Sequence, residues 1–163
     1  MVRLADLRKI IRARLRDAEA LHRARRYEAG VYLCGYAVEL GLKARACRSL
    51  KWRDFPSQRG EFKGIESFKT HDLEALLRLS GVEDRVRTQA GTEWLTVRDW
   101  SPALRYQVPG TVTANESLQI IAASRRLLSC YDSPDIAGEA AEGDERDRRE
   151  EGGVLRLCGG HAR

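Results

Sequence analysis

The chain is 163 residues long, 42% apolar and 33% charged, with four prolines. That is enough for one domain with a real core and leaves a mainly helical fold open, while the uncharged run between Glu28 and Glu39 is too short for a membrane span, which needs roughly 18 apolar residues. The net charge of +5 hides an asymmetry: residues 132–163 hold nine acidic and five basic side chains, so the part before them carries +9, a bias towards an acidic partner such as RNA, DNA or nucleotide.

From Val2 to about Ala24, Leu4, Leu7, Ile11, Leu15, Ala18 and Leu21 fall at steps of three and four, which predicts an amphipathic helix. Its polar faces carry Arg3, Arg8, Lys9, Arg12, Arg14, Arg16 and Arg23. These read either as a solvated face beside the core or as a phosphate-contacting strip, with Arg12 and Arg16 as candidate phosphate-binding residues. No aromatic side chain of this helix could stack on a base, which argues against base-specific reading. Met1–Arg26 is charged throughout and lacks the apolar stretch of a secretory leader, so a cytoplasmic protein is expected.

A second helix is expected over about Arg26–Leu50. Tyr27, Val31, Cys34, Val38 and Leu42 mark one face, and Tyr32, Leu33, Tyr36, Ala37 and Leu40 fill the others, so the helix is apolar nearly all round and belongs at the centre of a bundle. Gly30, Gly35 and Gly41 each cost about 1 kcal/mol against alanine in a helix interior, which predicts close approach of neighbours at these points. Glu39 and Lys43 form an i,i+4 pair in the favourable order. The four cysteines, Cys34, Cys47, Cys130 and Cys158, show no paired spacing and read as buried thiols rather than disulfides or zinc ligands. Cys158 and His161 alone do not make a metal site.

Trp52–Lys69 reads as a loop, marked by Pro56, Gly60 and Gly64. Thr70 is then the expected N-cap of a third helix, with Asp72 and Glu74 in its first turn, Leu73, Leu76, Leu77 and Leu79 on one side, and Gly81 just beyond its end. Val82–Trp100 predicts one helix or two short ones, and Ser101–Thr111 a loop with Pro102 and Pro109–Gly110. A last core helix is expected over about Val112–Tyr131, with Leu118, Ile121, Ala122, Leu127 and Leu128 as its apolar residues. Residues 1–131 thus form the predicted domain. The stretch 132–163, charged and glycine-rich, is expected to be disordered and dispensable for folding.

Arg26-Tyr27-x-Ala29 followed by Tyr36-Ala37-Val38-Glu39-Leu40-x-Leu42-Lys43, then Thr70-His71-Asp72-Leu73, then Arg105-Tyr106 before the last helix, together resemble the HEPN superfamily over roughly Leu21–Tyr131. These are small helical bundles of prokaryotic defence and toxin–antitoxin systems. The resemblance implies an all-α, up-and-down bundle of four or five helices, often a homodimer and often encoded beside a minimal nucleotidyltransferase. It also implies, for the active branch, metal-independent RNA cleavage by an arginine and, four to six residues on, a histidine at the start of the last helix. Arg105 stands at that place, but Gly110, Thr111 and Val112 stand where the histidine should fall.

The leading expectation is therefore a nucleotide- or RNA-binding module, non-catalytic or weakly active, with Arg105 and Tyr106 lining a polar groove. The rivals are a divergent metal-independent ribonuclease, with Arg105 as phosphate clamp and His71 as proton carrier, and a structural adaptor that seats a partner helix. His71 otherwise frames the start of the third helix. Arg16 and His22 match the arginine–histidine spacing formally, but read better as a helix face and a flanking histidine. Arg105 has a structural alternative, an ion pair with Glu39. Nothing in the spacing of Glu39 and Asp72 requires a metal, and neither metal nor cofactor is expected.

Overall fold

The periodicity of the first third of the chain is realised as two long helices, α1 (Leu4–Arg23) and α2 (Tyr27–Ser49). They are joined through Ala24–Arg26, where Arg25 takes a left-handed conformation (φ 58°) and reverses the chain. The computed structural model describes residues 1–56, 58–62 and 68–132, and not the side chains of Arg59 and Phe62. The disorder expected for the C-terminal stretch, and the Cys158–His161 pair, lie outside the described residues.

Every residue of α2 from Ala37 to Cys47 is buried, including Glu39, Lys43 and Arg45. Its glycines lie where neighbours come closest. A Cβ on Gly30 would stand 3.2 Å from the Ala18 carbonyl of α1. One on Gly35 would enter the Trp100 indole, and one on Gly41 would come within 2.5 Å of Leu128 and 3.0 Å of Tyr131. At Gly35 the neighbour is thus a single aromatic ring rather than a helix backbone. Trp100 is pinned there by its own indole N–H, which donates to the Tyr32 carbonyl at 3.1 Å.

Four further helices complete the bundle: α3 (Leu73–Ser80) and α6 (Ala114–Asp132) pack on α2, and α4 (Glu83–Gln89) and α5 (Gly91–Val97) pack on each other and on α6. The protein is therefore an all-α bundle of about six helices, where four or five were expected. The count rises because Val82–Trp100 divides at Ala90–Gly91 into two short helices. Val38 and Leu42 of α2 share one apolar cluster with Leu73, Leu77, Val86, Trp94 and Leu127. Ala37, Leu40, Ala44 and Cys47 share a second with Leu7, Ile11, Phe55 and Phe68. Cys34 joins Ala18 and Ile121 in a third. Cys34, Cys47 and Cys130 are free and buried, and burial pushes the Cys34 thiol up to about 12 and the Cys47 thiol to about 11. No helix among the described residues is long and apolar enough to cross a membrane.

Several local expectations need correction. Val2–Arg3 (β1) is extended rather than helical and pairs antiparallel with Asp54–Phe55 (β2), Val2 opposite Phe55. Burial of Phe55 against Leu7 and Ile11 fixes this part of the expected loop. The N-cap of α3 is Asp72, whose carboxylate accepts from the Glu74 and Ala75 amides at 2.9 and 3.1 Å. Thr70 acts one step earlier, accepting from the Asp72 amide at 3.0 Å. Gly81 ends α3 in the left-handed conformation expected of it (φ 72°). Pro102–Tyr106 is a 3-10 helix rather than irregular loop. On α6, Leu118 is exposed, and Ser117, Ala123 and Ser124 are buried in its stead.

Gly35→Leu is expected to destabilise the protein by about 1–3 kcal/mol, because the new side chain and the Trp100 indole cannot share the site. Urea unfolding of the variant measures this. A variant as stable as the parent would mean that Trp100 does not rest on α2.

Candidate functional site

The 3-10 helix Pro102–Tyr106 places Arg105 on the surface, where it lines a groove of about 290 Å³ with Arg26, Glu28, Tyr32 and Gln107. Its guanidinium lies over the Tyr106 ring, 4.8 Å from the centroid. Tyr106, then Tyr32, hold the Arg105 pKa above its ordinary value, so its charge is fixed. Tyr106 is 76% exposed and presents a free aromatic face. Arg105 makes no ion pair among the described residues. The alternative pairing with Glu39 does not form, because Glu39 is engaged elsewhere.

Glu39 is 1% exposed and takes two partners, Lys43 one turn along α2 and His71 from the segment before α3. The His71 Nδ1 lies 3.0 and 3.1 Å from the two carboxylate oxygens. A carboxylate only accepts, so Nδ1–H is the donor and the other ring nitrogen is left on an exposed edge. Lys43 in turn lies 5.6 Å from the Phe55 ring centroid. The structure does not bring His71 to Arg105. Arg105 meets α2 at Tyr32 and His71 meets it at Glu39, seven residues on, about 10 Å along the axis.

The amides that precede α6 are already filled with the protein's own carboxylates. Glu28 accepts from Gly110 at 2.6 Å and from Val112 at 3.1 Å, tying this loop to the start of α2. Thr113 and Glu116 close a reciprocal capping box, with amide bonds of 2.8 and 3.2 Å. Backbone donation holds both Glu28 and Glu116 below the usual carboxylate pKa. The helix start beyond Arg105 is thus not a vacant anion site.

On α1 every carboxylate is committed. Asp6 binds Arg3 and Lys9, Asp17 binds Arg14, and Glu19 binds Arg125 of α6. Arg8, Arg12 and Arg16 stand one turn apart and have no hydrogen bond or ion pair among the described residues. Arg8 and Arg12 face Arg45 and Arg48 of α2 across a cleft of about 150 Å³. Arg16 and His22 do not act together: His22 lies 3.1 Å from the buried Ser117 hydroxyl and packs on Tyr27, a structural role. Sequence reasoning missed Arg8, Arg45 and Arg48 as partners of Arg12, although their spacings of four and three already placed each pair on one helix face.

Comparison with protein-family models, with curated proteins and with solved structures finds no match.

Glu39→Ala is expected to cost about 3–5 kcal/mol in chemical denaturation, because it leaves Lys43 buried and without its counter-charge. A loss below about 1 kcal/mol would show that Lys43 reaches water without Glu39. Acid has a signed effect as well. Because the folded pKa values of Glu28 and Glu116 are depressed, their stabilisation is complete above the ordinary value of 4.5 and is lost as pH falls through the folded values. The melting temperature of Glu28→Gln should therefore fall less than that of the parent between about pH 6 and pH 3. Parallel curves for the two proteins would contradict the Glu28 tie.

Proposed function

We propose that the protein is a nucleotide- or RNA-binding module of the HEPN kind, a non-catalytic or weakly active component of a toxin–antitoxin or defence system. In this reading it is a cytoplasmic homodimer that works beside a nucleotidyltransferase. One observation carries the proposal: Arg8, Arg12 and Arg16 lie in a row without acidic partners among the described residues, on a helix whose carboxylates are all committed to other cations. Alternating, paired signs are one mark of a solvated helix face, and this row lacks them. A row of unpaired guanidinium groups suits a polyanion, whose condensed counterions are released on binding. Arg105, set over Tyr106 and beside Tyr32, adds a cation and an aromatic face, the combination that clasps a phosphate and stacks a base.

The absence of a histidine at positions 110–112, and the distance of His71 from Arg105, favour binding over ribonuclease chemistry. One observation favours the rival. His71 is oriented by the buried Glu39 carboxylate and is itself 60% exposed, the arrangement of a positioned acid–base histidine. A metal-free RNA cleavage assay on the parent and His71→Ala separates the two readings. The binding reading expects no cleavage that His71→Ala removes.

Binding of a single-stranded RNA, followed by anisotropy at several salt concentrations, tests the proposal directly. Replacing both Arg12 and Arg16 with glutamine should reduce the slope of log affinity against log salt by about 1.4, at roughly 0.7 per phosphate contact. Tyr106→Ala should weaken binding by roughly 1–3 kcal/mol if a base stacks there, with an unchanged melting temperature. A parent protein with no salt-dependent affinity for RNA or nucleotide would overturn the proposal.

A further inference from the structure

The chain leaves α2 by a tight reversal that ends at a tryptophan. The Trp52 amide donates back to the Cys47 carbonyl at 2.8 Å and the Lys51 amide to the Arg48 carbonyl at 2.9 Å, the paired bonds of a Schellman stop. Lys51 stands where such a stop usually has glycine, in the left-handed region at φ 57°. The residues that follow pair with the start of the chain, Asp54 opposite Arg3 and Phe55 opposite Val2, which holds Trp52 close to the beginning of α1. A hollow of about 440 Å³ opens there, with Lys51, Trp52, Arg53, Asp54, Pro56 and Glu61 in its lining.

Trp52 differs from the other two tryptophans. Trp94 and Trp100 are buried, 2% and 7% exposed, in the main apolar cluster, whereas Trp52 is only partly buried. Phe68 backs its indole, with ring centroids 5.1 Å apart, so the ring is held in place rather than swinging over the surface. A fixed, accessible indole at the wall of a hollow is a platform on which a flat ring can stack. The polar groups around it narrow the class of ring. Lys51 and Arg53 flank the indole in sequence and are exposed, and Asp54 sets a carboxylate beside them. Glu61 is held by the amino group of Met1 at 2.8 Å. Acids alone around an aromatic ring would suit a cationic ligand, and cations alone a bare anion. Both signs together suit a neutral ring that has N–H donors and carries its negative charge on an attached group, which is the make-up of a nucleotide. The volume lies within the roughly 300–1,000 Å³ of pockets that enclose a small ligand.

We infer that the Trp52 hollow is a stacking site for one nucleobase, with Lys51 and Arg53 on the phosphate attached to it and Asp54 accepting from the N–H edge of the base. The inference rests on the nucleotide-binding reading above and supplies what α1 lacks, an aromatic ring to stack on. Tyr106 stands by the start of α2 and Trp52 beyond its end, so the two rings take different nucleotides.

Tryptophan emission of the full chain tests this, because Trp52 is the only one of the three tryptophans that is not buried. Adenosine 5′-monophosphate and, separately, a short single-stranded RNA should quench the emission and shield it from acrylamide. Trp52→Phe keeps an aromatic ring on Phe68, so it should retain the melting temperature and lose the ligand-dependent quenching. Should that variant fail to fold, shielding of the parent from acrylamide reports the same site. Replacing Lys51 and Arg53 together with glutamine should weaken the monophosphate at least tenfold and leave adenosine unaffected. Quenching by the monophosphate alone supports the hollow as a mononucleotide site, and quenching by the RNA alone supports it as a strand site. Binding seen by anisotropy with unchanged emission overturns the hollow and leaves the nucleotide-binding reading intact. Quenching that survives Trp52→Phe does the same, since it would arise at the buried tryptophans. Failure of both ligands to bind overturns both readings.

Discussion

The structure depends on the enclosure of α2. Between Ala37 and Cys47 every residue of this helix is buried, so α1, α3 and α6 find their places against it, and α4 and α5 are held in turn by α6. α1 settles at Gly30, the Trp100 indole at Gly35 and α6 at Gly41, each where a side chain is missing. The same enclosure explains the Glu39–Lys43–His71 set. A carboxylate and an ammonium cannot be desolvated singly at acceptable cost, so they are buried as neighbours, and the imidazole gives the carboxylate a second donor. His71 thereby fixes where the chain returns to start α3.

Charge elsewhere is divided unequally between structure and surface. The carboxylates hold the fold together: Glu28 ties the loop before α6, Glu116 and Asp72 cap helices, and Asp6, Asp17 and Glu19 secure α1. The arginines are more numerous than this work needs. Those left over are not scattered at random. Arg8, Arg12 and Arg16 share one line of α1, and the first two close on Arg45 and Arg48. An excess of fixed positive charge, carried on helices that cannot rearrange without breaking the core, is the physical basis for expecting an anionic partner.

Much of the bundle was legible in the sequence, and the failures have local causes. The all-round apolar pattern of α2, its glycines as contact points, Gly81 as a stop signal and the possible division of Val82–Trp100 all follow from periodicity and backbone preference. The sequence points to a cap two residues too early because Thr70 and Asp72 are both good capping residues; in the fold Asp72 takes the helix amides while His71, between them, is tethered to Glu39. That tether joins positions 32 residues apart, beyond the reach of any periodic signal. Leu118 reads as a core residue by its type, yet the buried side of α6 runs through Ser117, Ile121, Ser124 and Leu127. Of the site residues, Arg105, Tyr106, Arg12 and Arg16 were legible as cations and an aromatic group in exposed settings. That Arg12 shares a cleft with Arg45 and Arg48 emerges only once α1 and α2 are folded against each other.

Native-state hydrogen exchange tests most directly whether the bundle is built on an enclosed α2 that carries its sites on rigid surroundings. The amides of Val38–Leu42 should exchange only through global unfolding, with the free energy obtained from denaturant titration. Amides of the 3-10 helix Pro102–Tyr106 should open well below that limit. Exchange of Val38–Leu42 through a partial opening, at a free energy several kcal/mol below the global value, would contradict the central place given to this helix.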